Sequence, residues 1–251
     1  MGQPIVGSNP TLSATISGGR PMTNLPPDLQ IHALEMATFR FADDEPGAGE
    51  EGVVMAYAVR HTAGVLLFDT GFGFGSHLVD DRYHPRTRPV GEVLASAGVG
   101  LAEITAVVNC HLHIDHAGQN AAFRGIPIHV QTAEWHVAHT TEHTILEWID
   151  FDGADYRLAT GDHELFPGMR LIATPGHTVG HQSLAIDSAA GMVVLAGQAI
   201  YSVGEWSGDP GAREGRSRAW DRDAYDSSVA RLRALDPARI YFGHDRAFWA
   251  R

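Results

Sequence analysis

The stretch NCHLHIDHAG, residues 109–118, closes the apolar run ITAVVN (104–109) and sets His111, His113, Asp115 and His116 within six residues. In extended backbone, positions i and i+2 point the same way, so His111 and His113 are expected to share one metal ion. Asp115 and His116 fall past the turn, where the chain has changed direction and faces a neighbouring ion. Imidazole nitrogens with one carboxylate oxygen suit zinc, iron or manganese, and the absence of thiolate argues against a closed structural zinc site. Four ligand-type residues in the order HxHxDH arise by chance about once in a few hundred chains of this composition, so the metal reading outweighs a scatter of ordinary histidines.

Working outward, other polar residues stand at the exits of short apolar runs. His177 follows MRLIAT in TPGHTVGH, His244 follows ARIYF in YFGHD, and Asp69 follows VLLF in FDTG. If these strands lie side by side, their ends form one rim, and ligands on strand exits are better fixed than ligands on free loops. Asp69 is out of pattern for a ligand, and hydrogen-bonding a ligand imidazole is its expected task.

The surrounding pattern predicts strands over 31–41, 53–59, 65–68, 104–109, 128–131, 169–174, 183–186, 192–195 and 239–242, with a hairpin turn at 60–63. Helices are expected over 90–97, 117–123, 132–139 with Thr132 as N-cap, and 221–235 before Pro237. Short strands mixed with helices imply a layered α/β (α+β) domain over 31–251, with helices covering sheet faces. Residues 1–30 are rich in Gly, Pro, Ser and Thr without a period and are expected to form a flexible N-terminal arm.

Composition narrows the function further. Of 251 residues, 44% are hydrophobic, enough for a substantial core. A net charge of −12 disfavours a nucleic-acid partner. No apolar run reaches membrane-spanning length and the start lacks a basic, apolar leader, so no membrane partner and a cytoplasmic location are expected. The lone cysteine, Cys110, forms no internal disulfide and reads as a small buried residue.

HLHIDHAG, TPGHTVGHQSL, GQAIYS and the final GHD together resemble the metallo-β-lactamase fold superfamily, and their order is most similar to its N-acyl homoserine lactonase group. The resemblance covers about Ile31 to Phe248 and implies an αββα sandwich, two mixed sheets flanked by helices, with a dinuclear site on the rim. It implies one metal held by His111, His113 and His177 and the other by Asp115, His116 and His244, zinc first, with iron or manganese as alternatives. The implied reaction is opening of a lactone or carboxylic ester by a metal-bound hydroxide. Asp115 would carry the proton to the leaving alkoxide, and Tyr201 would donate to the oxyanion. Competing readings are a thioesterase or phosphotriesterase on the same scaffold, and a metal-binding protein with impaired catalysis.

One departure stands out: where the family has a bridging aspartate, this chain reads LAGQAIYS and places Gln198. An amide offers one neutral oxygen where a carboxylate offers two charged ones. Two sites of unequal affinity are expected, or recruitment of Glu205 or Asp209. His181 is expected behind the ligands, and His136, His139 and His143 on a solvated helical face. Gly71, Gly73 and Gly75 fail the GxGxxG spacing; they suit a mobile loop with Phe72 and Phe74 as walls of an apolar substrate pocket. No GxSxG occurs, against a serine hydrolase of the α/β-hydrolase kind. The expected partner is a small lactone or ester, and the chain a monomer or homodimer.

Overall fold

The computed structural model describes residues 29–61, 64–142, 144–213 and 215–251, together with the backbone of Ile5–Ser8. Residues 1–4 and 9–28 of the expected arm, the hairpin positions 62 and 63, and His143 lie outside the described residues. In chain order the first half contains β1 (Ile5–Ser8), β2 (Gln30–Arg40), β3 (Glu51–His61), β4 (Gly64–Phe68), α1 (His77–Tyr83), β5 (Arg86–Thr87), α2 (Val90–Ser96), β6 (Ile104–Val108), β7 (Pro127–Gln131) and α3 (Thr132–Thr140). The second half contains α4 (Leu146–Ile149), β8 (Asp155–Ala159), β9 (His163–Phe166), β10 (Met169–Ala173), β11 (Gln182–Ile186), β12 (Val193–Leu195), α5 (Val203–Ser207), α6 (Arg222–Ala234), β13 (Arg239–Tyr241) and β14 (Ala247–Ala250).

These strands make two seven-stranded sheets, in the orders β5-β2-β3-β4-β6-β7-β8 and β1-β14-β13-β12-β11-β10-β9. Both are mixed: β2, β3 and β4 run antiparallel, β4, β6, β7 and β8 parallel, and β12 pairs parallel with β13 in the other sheet. Strand β3 shows why the sheets stack. Its run VVMAYAV alternates sides, with Val54, Ala56 and Ala58 in one apolar cluster and Val53, Met55, Tyr57 and Val59 in another. The latter cluster is the layer between the sheets, where Leu66, Phe68 and Val108 meet Leu171, Leu184 and Leu195. The outer clusters lie under α2 on one side and under α5 and α6 on the other, giving the αββα sandwich. A strand buried on both faces must be apolar at every position, hence the unbroken run.

Two expectations are corrected. The helix expected over 117–123 is only a 3-10 turn, Asn120–Phe123, because the preceding residues are folded into the ligand loop. There Ala117 N–H donates to His113 O and Gly118 N–H to Gly71 O, tying that loop to the chain after β4. Thr132 is the first residue of α3 rather than its cap: Gln131 stands at the N-cap, and the Thr132 hydroxyl donates to Ala159 O instead. Helix α6 is capped by Asp221, whose carboxylate accepts from Asp223 and Ala224 N–H.

Candidate metal centre

The exits of β4, β6, β10, β12 and β13 converge on the same rim: those of β6, β10 and β13 bring the donor residues, that of β4 brings Asp69 and that of β12 brings Gln198. His111 Nε2 lies 2.9 Å from His113 Nδ1, which lies 3.1 Å from His177 Nε2. Beside them, His116 Nε2 lies 3.3 Å from His244 Nε2, and Asp115 Oδ2 lies 3.5 Å from the former and 3.6 Å from the latter. The rings of His111 and His116 are only 4.3 Å apart, so the two groups adjoin.

The supports of each imidazole decide which nitrogen faces inward. Asp69 Oδ2 accepts from His116 Nδ1–H at 2.9 Å, which leaves Nε2 for the site, while Asp69 Oδ1 accepts from Cys110 N–H. Asp69 adopts φ of +67°, a conformation aspartate tolerates better than most side chains, and so turns back under the loop. His244 Nδ1–H donates to Val53 O at 2.9 Å on the facing sheet, again freeing Nε2. Met55 N–H donates to Gly243 O beside it, so the register between the two sheets sets this ligand's place. His177 follows Gly176, where a Cβ would lie 2.4 Å from the Tyr225 backbone; only glycine lets this loop pass under α6.

Burial pushes His111 and His177 well below the ordinary imidazole range, helped by their imidazole neighbours. His244 is pulled to about 4 by burial, against the opposing pull of Asp115. Burial also lowers His116, but Asp115 and Asp69 outweigh it and lift the ring to about 9. Burial raises Asp115, and the imidazoles of His116, His244 and His113 more than reverse this, so it stays a carboxylate. His111 and His177 therefore stay neutral, and their Nε2 atoms meet His113 Nδ1 at one point. Nitrogens bound to one tetrahedral ion at about 2.0–2.1 Å stand about 3.3 Å apart, close to what both groups show. The residues fit a pair of divalent cations.

His181 belongs to no such group in practice. Gln198 N–H donates to its Nε2 at 2.9 Å, so Nδ1 carries the proton and donates to Thr174 Oγ1 at 2.8 Å. Both ring nitrogens are engaged, and burial drives the ring down to about 3. The Cys110 thiol lies 3.0 Å from Asp69 Oδ2 as a donor, and burial with the Asp69 charge pushes it well up, so it stays protonated.

Gln198 is buried beside His116, its Oε1 without a hydrogen-bond partner. Neither acid named as a substitute reaches the donor groups. Glu205 accepts from Tyr201 N–H, Gly215 N–H and the Tyr225 hydroxyl, and Asp209 is exposed. Tyr201 is buried, stacks on His244 at 4.7 Å, and its hydroxyl has no partner. Phe72 is buried against Phe39 at 5.7 Å, whereas Phe74 is 54% exposed. His136 and His139 lie exposed on α3, away from both groups. Sequence reasoning missed Glu134, fully buried between the two ligand loops, and a cleft beside His113 and His177 lined by Val137, Val179, Arg218 and Trp220. A carboxylate in the first turn of a helix carries no signal that tells it from an ordinary helix-start acid.

Residues 49–244 match the family described as Metallo-beta-lactamase superfamily. An N-acyl homoserine lactonase of a Bacillus species is 31% identical over 80% of this chain and 84% of its own length. The N-acyl homoserine lactonase AiiA of Bacillus thuringiensis subsp. kurstaki is 31% identical over 76% and 81%. Among solved structures, a B. thuringiensis AiiA variant with N-decanoyl-L-homoserine at its active site superposes with a TM-score of 0.73 at 27% identity, covering 86% of this chain and 92% of that one. A lactone hydrolase with N-hexanoyl-L-homoserine at its catalytic metal centre gives 0.72 at 27%, over 86% and 92%. This chain belongs to the metallo-β-lactamase superfamily, with N-acyl homoserine lactonases among its relatives.

Proposed function

We propose that the chain is a metal-dependent hydrolase that opens the lactone ring of N-acyl homoserine lactones, or a closely related carboxylic ester. The observation that carries the reading is the pairing of the two donor groups on one rim, with the buried, unpartnered Tyr201 hydroxyl stacked against them. Two divalent ions, zinc on this nitrogen-and-carboxylate donor set, would supply a Lewis acid and acidify water when bound at His111, His113 and His177 and at Asp115, His116 and His244.

The remaining work falls to the chain. Asp115 turns Oδ2 to the two imidazoles, and its other oxygen takes the proton from the attacking water and passes it to the ring oxygen as the C–O bond breaks. Burial raises the Tyr201 phenol, so it stays protonated and donates to the oxyanion that grows on the carbonyl. Asp69 and Val53 O hold the Nδ1–H of His116 and of His244, so that Nε2 of each is the nitrogen turned to an ion. The apolar wall of Val137, Val179 and Trp220 beside His113 supports an acyl chain in that cleft. Gln198, a neutral oxygen beside His116, supports unequal affinity for the two ions.

The test uses protein purified without added metal: elemental analysis, then turnover of lactone, aryl ester, thioester and phosphotriester. Lactone should be the best substrate, chelation should abolish turnover, and zinc should restore it. A chelated protein that opens lactone at its full rate would refute the reading.

A further inference from the structure

Glu134 lies in the first turn of α3, fully buried, and belongs to neither donor group. Its Oε1 accepts from Leu112 N–H at 2.9 Å, and Leu112 is the residue between His111 and His113. Its Oε2 accepts from the Thr178 hydroxyl at 2.6 Å and from Gly180 N–H at 3.1 Å, in the loop that carries His177. One carboxylate thus joins the two segments that bring all three nitrogens of the first group. The fit is close: a Cβ on Gly180 would lie 2.2 Å from Glu134 N, so the loop packs directly against the start of α3.

We propose that Glu134 is a positioning residue for the first metal, clamping the His111–His113 segment to the His177 loop so that three imidazoles meet at one point. The assignment rests on the metal reading above. A buried carboxylate is costly unless its oxygens are satisfied, and here both oxygens accept from donors that must be held for His111, His113 and His177 to converge. Glutamine in its place has one acceptor oxygen, and its amide nitrogen would confront the backbone N–H of either Leu112 or Gly180. The hinge between the loops would then relax by tenths of an ångström, which a three-nitrogen site feels directly. His116 and His244 are held instead by Asp69 and Val53 O, so the second group should be indifferent to this change.

The test follows cobalt(II) binding by visible absorption and chelator competition, in two backgrounds that isolate the groups. In H244A, where the first group remains whole, Glu134→Gln should weaken cobalt binding about 10–100-fold, the usual cost of losing an outer partner, and shift the absorption bands. In H113A, where the second group remains whole, the same substitution should change affinity less than about twofold. A merely structural role would weaken both. Equal affinity and unchanged bands in H244A overturn the proposal, as does an equal loss in both backgrounds. If Glu134→Gln does not fold, Thr178→Val removes one donor and should still cost several-fold in H244A alone; no change there overturns it too. A wild-type chain that takes up neither cobalt nor zinc overturns the metal reading and this assignment with it. Normal wild-type uptake with an indifferent Glu134→Gln overturns this assignment alone.

Discussion

His111, His113 and His177 bring three nitrogens to one point, whereas Asp115, His116 and His244 bring two nitrogens and a carboxylate to the neighbouring one. The first group has no anion among its donors. The second has Asp115 inside it and Asp69 directly behind it, hydrogen-bonded to His116. Charge and geometry are therefore divided: the first group depends on how well three rings are aimed, and the second on how much negative charge offsets an ion. Gln198 sharpens the contrast, because at the shared edge it supplies only a neutral oxygen.

The largest effects should come from breaking either group outright. His113→Ala and His244→Ala should each lower kcat/KM by more than about 10³-fold, since outer partners alone cost 10–100-fold. Elemental analysis should find one ion lost in each variant and one kept. If either variant lost both ions, the groups would be one cooperative site and the comparison would fail.

Next in size is Asp69→Asn. The amide keeps the shape and loses the charge that holds His116 by its Nδ1–H, so the second ion should bind about 10–100-fold more weakly while the first is little changed. Competition with a chelator in the H244A and H113A backgrounds separates the two. Gln198→Asp should act in the opposite direction and more modestly. A carboxylate beside His116 adds one negative charge within reach of the ions, and about tenfold tighter binding of the second ion is expected, read by metal retention after dialysis. Unchanged retention would show that the amide was never the weak point.

How much of this was legible in the residues depends on burial. Strands β3, β4, β6 and β10–β13 announced themselves because each carries a run of apolar residues that is largely buried. Strands β8 and β9 did not: Asp155–Ala159 and His163–Phe166 lie at sheet edges, half exposed, with polar residues in the run. Helix α1, HLVDDRY, buries only Val79 and shows no apolar stripe. In the site, the donors were readable because histidines at strand exits are a local signal. What holds them in place was only half readable. Asp69 stood in a motif, but Glu134 and Val53 O act across long sequence separations through the packing of loops and sheets, which no local pattern encodes.

The smallest effect concerns an imidazole that adjoins the first group without joining it. His181 lies 5.4 Å ring to ring from His111, is fully buried, and is held neutral by Gln198 N–H on one side and Thr174 on the other. Burial, partly opposed by the Glu134 charge, drives it from 6.5 to about 3. An unfolded chain takes up this proton near pH 6.5 while the folded one refuses it, so its contribution is complete above 6.5 and drains away as pH falls toward 3. His181→Gln keeps an acceptor for Gln198 and a donor for Thr174 but has no proton to gain. In chelated protein, urea unfolding between pH 6 and 4 should therefore lose stability less steeply in the variant, by one proton or about 1.4 kcal/mol per pH unit. Burial is the main depressor of His111, His177 and His244 in both proteins and the His181 charge a lesser one for the first two, so the difference reports chiefly His181. Parallel curves would mean that this ring carries its proton in the fold, and the neutral His181 engaged by Gln198 and Thr174 behind the first group would have to be abandoned.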